Sequence, residues 1–186
     1  WRKDADGVQL PYLDKLNFIP IEGAPARYDA LAGNTVQAMH STTQSVFDDV
    51  QANDKLQLTA EAEGHHEVAY GMVNVSKAPL DDKDVRLNMA KAIDRDTLND
   101  INSEGKFEIA NQPFDKDVLG YKDDIEAPEY DPDAAEAFFK GKNLEIKLYY
   151  ATDPTTKAIA EEVKAELADV GVTVNLTEVD QATLIN

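Results

Sequence analysis

The sequence predicts an α/β fold with mainly parallel strand pairing, and three observations carry that expectation. Residues 144–179 read strand, amphipathic helix, glycine stop, strand. Residues 16–40 repeat a strand–helix–strand order near the start of the chain. Residues 68–98 run from an alternating apolar stretch into the clearest helical period in the sequence. Strands alternating with helices in this way favour parallel pairing through crossover connections.

Taken in order, residues 16–21 (Leu-Asn-Phe-Ile-Pro-Ile) predict a strand ending near Pro20, because proline suits a strand edge or end. Glu22-Gly23-Ala24-Pro25 is a turn, and Pro25 fits the first turn of a helix over 26–32. Gly33 is the expected C-terminal cap of that helix, and 35–40 the next strand. Thr42 or Thr43 is placed to cap a helix over 44–51, whose apolar face is Val46, Phe47 and Val50. Residues 56–60 alternate as a strand, and the polar stretch 61–67 reads as a crossing segment.

Residues 68–75 predict a strand, with Val68, Tyr70 and Met72 alternating against Ala69, Gly71 and Val73. A loop over 76–80 leads to Asp81 or Asp82, which opens one long helix. Val85, Met89, Ala92, Ile93 and Leu98 keep its period, and the acids of its first turn suit the helix dipole. Arg86, Asp94 and Arg95 lie on it as anchors through caps and ion pairs. Residues 105–130 form a long loop of scattered glycine, proline and acids. Asp131-Pro132 starts a short helix over 134–140. Then come a strand over 144–150, a helix over 155–170 with Ile159, Val163, Leu167 and Val170 on one face, Gly171 as its stop, and a strand over 172–179.

Composition excludes several function classes. The chain has 36 acids against 18 bases over 186 residues, a net charge of −18. Such a chain repels phosphate backbones and anionic membrane surfaces, so no nucleic-acid partner is expected. There is no cysteine, which removes disulfides, thiolate chemistry and cysteine-held metal centres. No apolar run approaches the about 20 residues that a spanning helix needs. Neither end carries a start or stop signal, and both are expected to be cut from a longer chain.

Chemistry-bearing motifs are few. There is no Gly-x-Ser-x-Gly elbow, no Walker loop, no dinucleotide glycine pattern and no His-Glu-x-x-His. The sharpest local feature is Gly64-His65-His66-Glu67. On an extended segment, His65 and Glu67 face one way and His66 the other. A His-x-Glu pair can supply two ligands to Zn²⁺ or Ni²⁺, with His40 as a conceivable third. The tripeptide is short and carries little specificity, so neither a metal site nor a cofactor is expected. The acids between Asp123 and Asp133 lack the glycine and terminal glutamate register of a calcium loop and read as a solvated stretch.

Four stretches give the chain a resemblance. They are Pro11-Tyr12-Leu13-Asp14-Lys15-Leu16 with the Ala-Arg-Tyr-x-x-Leu-x-x-Gly run of 26–33; Met72-Val73-Asn74-Val75 with Ala78-Pro79-Leu80-Asp81-Asp82; Asp84-Val85-Arg86 through Ala92-Ile93-Asp94-Arg95; and Tyr130-Asp131-Pro132-Asp133-Ala134-Ala135 with the 144–179 unit. In this order they resemble the peptide/nickel-binding family (family 5) of extracytoplasmic solute-binding proteins of ABC importers. One departure is visible at Gly33-Asn34-Thr35-Val36-Gln37, where the family often carries an aspartate.

The resemblance implies a periplasmic-binding-protein-like α/β fold, part of a two-lobed clamp with mixed, mainly parallel sheets and flanking helices. Residues 1–62 would belong to the first lobe and 63–186 to the second. It implies a substrate-binding component, not an enzyme, that captures a small solute, foremost an oligopeptide, by hinge closure and hands it to the permease subunits of the importer. His65, His66, Glu67 and Tyr70 would enter the second lobe near the cleft and are the candidate solute contacts. The aspartate that pairs with the ligand amine in peptide-binding members would lie beyond residue 186. A monomer is expected, periplasmic or extracellular, anchored as a lipoprotein in a Gram-positive cell. The alternatives are a nickel-chelate or oligosaccharide binder of the same family and, from another class, a metal-dependent hydrolase using His65, Glu67 and His40.

Overall fold

The computed structural model describes residues 2–41, 43–59, 68–114, 116 and 118–185. The chain divides into two compact units, Trp1–Thr59 and Ala60–Asn186.

The first unit contains two helices and much extended chain. An isolated antiparallel bridge joins Lys3 to Gln9. Inside that loop the Asp4 carboxylate accepts the backbone N–H of Asp6 and Val8 and the Tyr12 hydroxyl. The Tyr12 hydrogen bond, chiefly, holds the Asp4 carboxyl below the ordinary aspartate value. Helix α1, Ala24–Ala32, begins with proline in its first turn, as the sequence predicts. Its C-cap Gly33 has φ −81°, and the left-handed residue is the next one, Asn34, at φ 57°. Helix α2, Gln44–Gln51, buries Val46 and Val50. Thr43 stands at its N-cap position without a side-chain capping bond. The Tyr28 hydroxyl donates to the Asp49 carbonyl, tying α1 to α2.

The strands expected over 16–21, 35–40 and 56–60 are absent from the described residues, so no β-α-β unit forms among the described residues of this part. The physical reason is visible at 16–21. The chain there is extended, but no neighbouring strand meets it, and Leu16, Phe18 and Ile19 are exposed, Phe18 at 88%. A strand exists only through its ladder.

The second unit holds the core. The single long helix expected from residue 81 onward is two helices, α3 (Lys83–Ala92) and α4 (Arg95–Ser103). They break at Ile93, which is extended at φ −100°, ψ 118°. Asp94 causes the break by capping α4: its carboxylate accepts the N–H of Asp96 and Thr97 and the Thr97 hydroxyl. Local side-chain capping of this kind outcompetes helix continuation at an aspartate. Asp82 caps α3 in the same manner, accepting from Asp84 N–H.

Helix α5, Pro132–Phe139, starts as expected from an aspartate cap followed by proline, with Asp131 accepting the Ala134 N–H. Strand β1 (Glu145–Ala151), helix α6 (Pro154–Asp169) and strand β2 (Thr173–Val179) form the predicted β-α-β unit. β1 and β2 pair in parallel from Glu145 opposite Thr173 to Ala151 opposite Val179. Asp153 caps α6, and Gly171, at φ +88°, ends its connection in the left-handed region. A short helix α7, Gln181–Ile185, follows.

One apolar cluster joins these elements. Val85 and Ala92 of α3, Ala135 and Phe139 of α5, Ile146 of β1, Leu167 of α6, and Val170, Val172 and Val174 are all buried. Phe139 and Leu167 are 1% and 0% exposed and form the centre. Each such side chain removed from water contributes about 1.5–3 kcal/mol. Phe138 meets Phe139 edge to face at 5.0 Å, and the Lys142 ammonium lies over the Phe138 ring at 4.4 Å.

Candidate functional site

Of the four residues expected to contact solute, His65, His66 and Glu67 lie outside the described residues. Tyr70 is described, 71% exposed on the extended segment 68–75. His40 is exposed and belongs to the first unit. Among the described residues no group of three or more His, Cys, Asp or Glu side chains could hold a metal ion. The described site is therefore a segment with one predicted contact residue and its anchoring.

That anchoring is well defined. Asn74 closes the segment: its side-chain oxygen accepts both the N–H and the hydroxyl of Ser76. A turn follows, in which the Leu80 and Asp81 N–H groups donate to the Lys77 carbonyl. Arg86 of α3 then reaches back to donate to the carbonyls of Leu80 (2.8 Å) and Asp81 (3.1 Å), while Leu80 packs on the core cluster. Arg86 thus serves as the structural anchor the sequence implies, through backbone carbonyls. Segment 68–75 leaves a fixed point on the core ten residues after Tyr70.

The junction of α3 and α4 is a second built feature. Arg95 donates to the Pro128 carbonyl at 3.2 Å and the Ala110 carbonyl at 3.5 Å, so it pins both ends of the long loop. Within that loop Gln112, 7% exposed, makes two bonds to one residue. Its amide nitrogen donates to the Lys122 carbonyl and its oxygen accepts the Lys122 N–H. Lys91 of α3 faces Asp131 at 3.8 Å, and the Asp131 N–H donates to the Lys91 carbonyl. Arg86 and Asp94 do not lie on one continuous helix as the sequence implies, because α3 ends at Ala92 and Asp94 caps α4.

Glu166 of α6 closes the junction. Its Oε1 accepts the Asp94 N–H at 3.0 Å, across 72 residues of sequence. Its Oε2 is buried without a hydrogen-bond partner among the described residues. Burial raises the Glu166 pKa, the Asp94 N–H opposes the rise, and the charges of Glu162, Asp94 and Asp169 add to it. The Tyr130 pKa is raised by desolvation and by the charges of Glu166, Asp94 and Asp169. Sequence reasoning did not single out Glu166 or Gln112. For Glu166 a signal existed, because it borders the apolar stripe of Val163, Leu167 and Val170. Gln112 sits in a loop without periodicity and offers none.

Among the described residues the surface includes open depressions of about 250 and 320 Å³. Both are built around Gly171, one against Phe139 and Asp169 and the other against Lys164 and Asn175. Neither is lined by a predicted contact residue.

The chain belongs to the bacterial extracellular solute-binding proteins, family 5, whose middle-region model matches residues 1–186. It is 29% identical over 171 residues to the dipeptide-binding protein of Escherichia coli strain K12, covering 87% of this chain and 32% of that protein. It is 27% identical over 172 residues to heme-binding protein A of Haemophilus influenzae, covering 88% and 31%. The chain thus spans about a third of the length of these relatives. Among solved structures, it resembles an ABC transporter-associated periplasmic binding protein of Helicobacter pylori in complex with the peptide STSA. The TM-score is 0.75 at 20% identity, over 89% of this chain and 32% of that one. The dipeptide-binding protein of a Pseudoalteromonas species, solved with Met-Leu, aligns with a TM-score of 0.74 at 18% identity, over 89% and 34%. The fold is accordingly that of the periplasmic binding proteins.

Proposed function

We propose that this chain is part of the substrate-binding component of an ABC importer that captures a peptide, and that it binds without catalysing a reaction. The observation that carries this reading is the family match over the full 186 residues, joined to relatives named for dipeptide binding. Solute capture would proceed by closure of two lobes, with residues 1–62 in one and 63–186 in the other. Ligand stabilises the closed form because it contacts both lobes only there. The loaded receptor then docks on the permease subunits of the importer.

Tyr70, with His65, His66 and Glu67, is the contact set this chain would contribute. Family members act outside the cytoplasm, and a lipid anchor in a Gram-positive envelope is the arrangement proposed here. The His-His-Glu run favours one second reading, a metal-chelate solute, which is supported by one relative being named for heme binding.

A thermal-shift series on the full-length receptor separates these. Di- and tripeptides at 100 times their Kd stabilise the native form by about 2.7 kcal/mol, visible as a rise in Tm, and Tyr70→Ala weakens that response. A rise with nickel–histidine chelates and none with peptides transfers the function to the second reading. A rise with oligosaccharides alone rejects both, and turnover of any ligand on mixing rejects the non-catalytic assignment.

A further inference from the structure

We infer that the joint between α6 and the start of α4 is a proton-operated latch on the long loop 105–130. It holds while the Glu166 carboxyl is protonated and loosens when that carboxyl ionises. The latch lies wholly in the second unit and is independent of which solute is captured.

Three links connect Glu166 to the loop. Its Oε1 accepts the Asp94 N–H at 3.0 Å, a bond between elements, since Glu166 stands on α6 and Asp94 is the N-cap of α4. Asp94 in turn sets the first turn of α4 by accepting from Asp96 and Thr97. Arg95, the next residue, donates to the carbonyls of Ala110 and Pro128 and so gathers the loop at both ends. A shift of the Asp94 backbone therefore carries the residue that holds the loop. Apolar burial does little to hold it otherwise: Phe107, Ile109, Phe114, Leu119 and Ile125 are all exposed, Leu119 at 98%. Segments with little buried apolar area open at low cost. The internal ties of the loop include the two Gln112–Lys122 bonds and the Asn111 amide on the Ile125 carbonyl.

The sensor is the second carboxyl oxygen. Glu166 Oε2 is buried and has no hydrogen-bond partner among the described residues. A neutral carboxyl tolerates that position, whereas an ionised one places charge where neither water nor a donor answers it. The surrounding charges add to the penalty. Glu162 and Asp169 on the same helix and Asp94 on the facing element are all acidic. Tyr130, just before α5, is neutral in its ordinary form, and Glu166, Asp94 and Asp169 oppose its ionisation too. The cations of the adjoining turns are engaged with other groups, Lys91 of α3 with Asp131 and Arg95 with the loop carbonyls. The Asp94 N–H favours the ionised form, but burial outweighs it, and Glu166 keeps its proton above the ordinary glutamate value of 4.5. Opening the joint hydrates Oε2. Ionisation therefore favours the open form, and the loop loosens as pH rises from 4.5 through the raised folded value. A receptor of an extracellular family meets the pH of its surroundings, which gives such a latch something to read.

Backbone amide exchange on the full-length polypeptide, corrected for the intrinsic pH dependence of the rates, tests this between about pH 4 and pH 8. The amides of Lys122 in the loop and of Asp96 and Thr97 at the start of α4 should lose protection by at least about threefold as pH rises. Thr152 N–H, bonded to the Val179 carbonyl at the far end of the sheet, should not change with them. Glu166→Gln, which keeps an acceptor and removes the charge, should hold these amides at their low-pH protection throughout. A pH-independent parent would overturn the inference. So would the same loss of protection in Glu166→Gln, which would assign it to another group such as one of the three histidines, or an equal loss at Thr152, which would make it global unfolding. Should Glu166→Gln fail to fold, the side-chain carboxyl ¹³C resonance of Glu166 in the unsubstituted protein decides. Loop protection should stop falling at the pH where that resonance completes its titration, and a fall that continues beyond it would sink the latch.

Discussion

Residues 144–179 and residues 16–40 read alike as strand–helix–strand, yet only the first folds that way. In 144–179 each strand has the other as a partner, and β1 and β2 pair along their whole length. Ile146, Val172 and Val174 then go into the core with Leu167. In 16–40 the helix forms, but the flanking segments find no ladder, and Phe18 stays 88% exposed. A helix satisfies its own backbone; a strand depends on residues distant in sequence. The lesson is that helices in this chain are local facts, whereas its strands depend on what lies beside them.

The largest expected effect breaks the comparison directly. Phe139→Ala removes a ring that is 1% exposed at the centre of the cluster and should cost about 3–5 kcal/mol. Phe18→Ala, the same chemical change at an 88% exposed position, should stay within about 0.5 kcal/mol. Urea unfolding of the two variants checks this. Equal losses would mean that residues 16–21 are buried in solution and that the two regions do not differ.

Capping gives the next effect. Asp94 accepts two backbone N–H groups of α4, and Thr43 accepts none at the start of α2. Asp94→Ala should therefore cost about 1 kcal/mol, and Thr43→Ala close to nothing. Gly171→Ala should cost roughly 1 kcal/mol as well. Its φ of +88° is unfavourable for a side chain, although a Cβ there would meet no atom within 4 Å. The loss would be conformational and should appear undiminished whatever side chains surround it.

Much of the fold was legible because its signals are local. Asp131-Pro132, the Ile159–Val170 stripe and Gly171 each encode an element boundary within a few residues, and the structure places α5, α6 and β2 accordingly. The apolar period of 81–98 was legible too, but it conceals the break at Ile93. Apolar spacing reports which face is buried, while Asp94 ends one helix by capping the next, and the two signals overlap in the same residues. The segments 16–21 and 68–75 are extended but unpaired among the described residues for the opposite reason: alternation reports that a segment suits a sheet and is silent on whether the sheet is present. Of the candidate site, the extended backbone around Tyr70 and the anchoring role of Arg86 were legible from their segments. The Glu166 contact was not, because its partner Asp94 N–H lies 72 residues away and no pattern in the sequence links them.

Glu166 supplies the smallest effect and the one that tests whether the second unit behaves as one packed body. Its folded pKa is raised, mainly by burial. The folded state therefore holds the proton more tightly than the unfolded state, and the sign follows: stability is greatest at low pH and is lost as pH rises through the folded value. Above that value the ionised carboxylate sits among Glu162, Asp94 and Asp169 with Oε2 unpartnered. Glu166→Gln keeps an oxygen for the Asp94 N–H and removes the charge. The variant should melt slightly higher than the parent at pH 7. The difference should shrink as pH is lowered toward 4.5, the ordinary glutamate value. Glu166→Ala, which removes the acceptor as well, should lower Tm at every pH by leaving the first N–H of the Asp94 cap unpaired. If Glu166→Gln melts lower than the parent at pH 7, the ionised carboxylate is stabilised by the α4 N-terminus more strongly than it is destabilised by burial, and the joint between α4 and α6 is held by charge and not by packing.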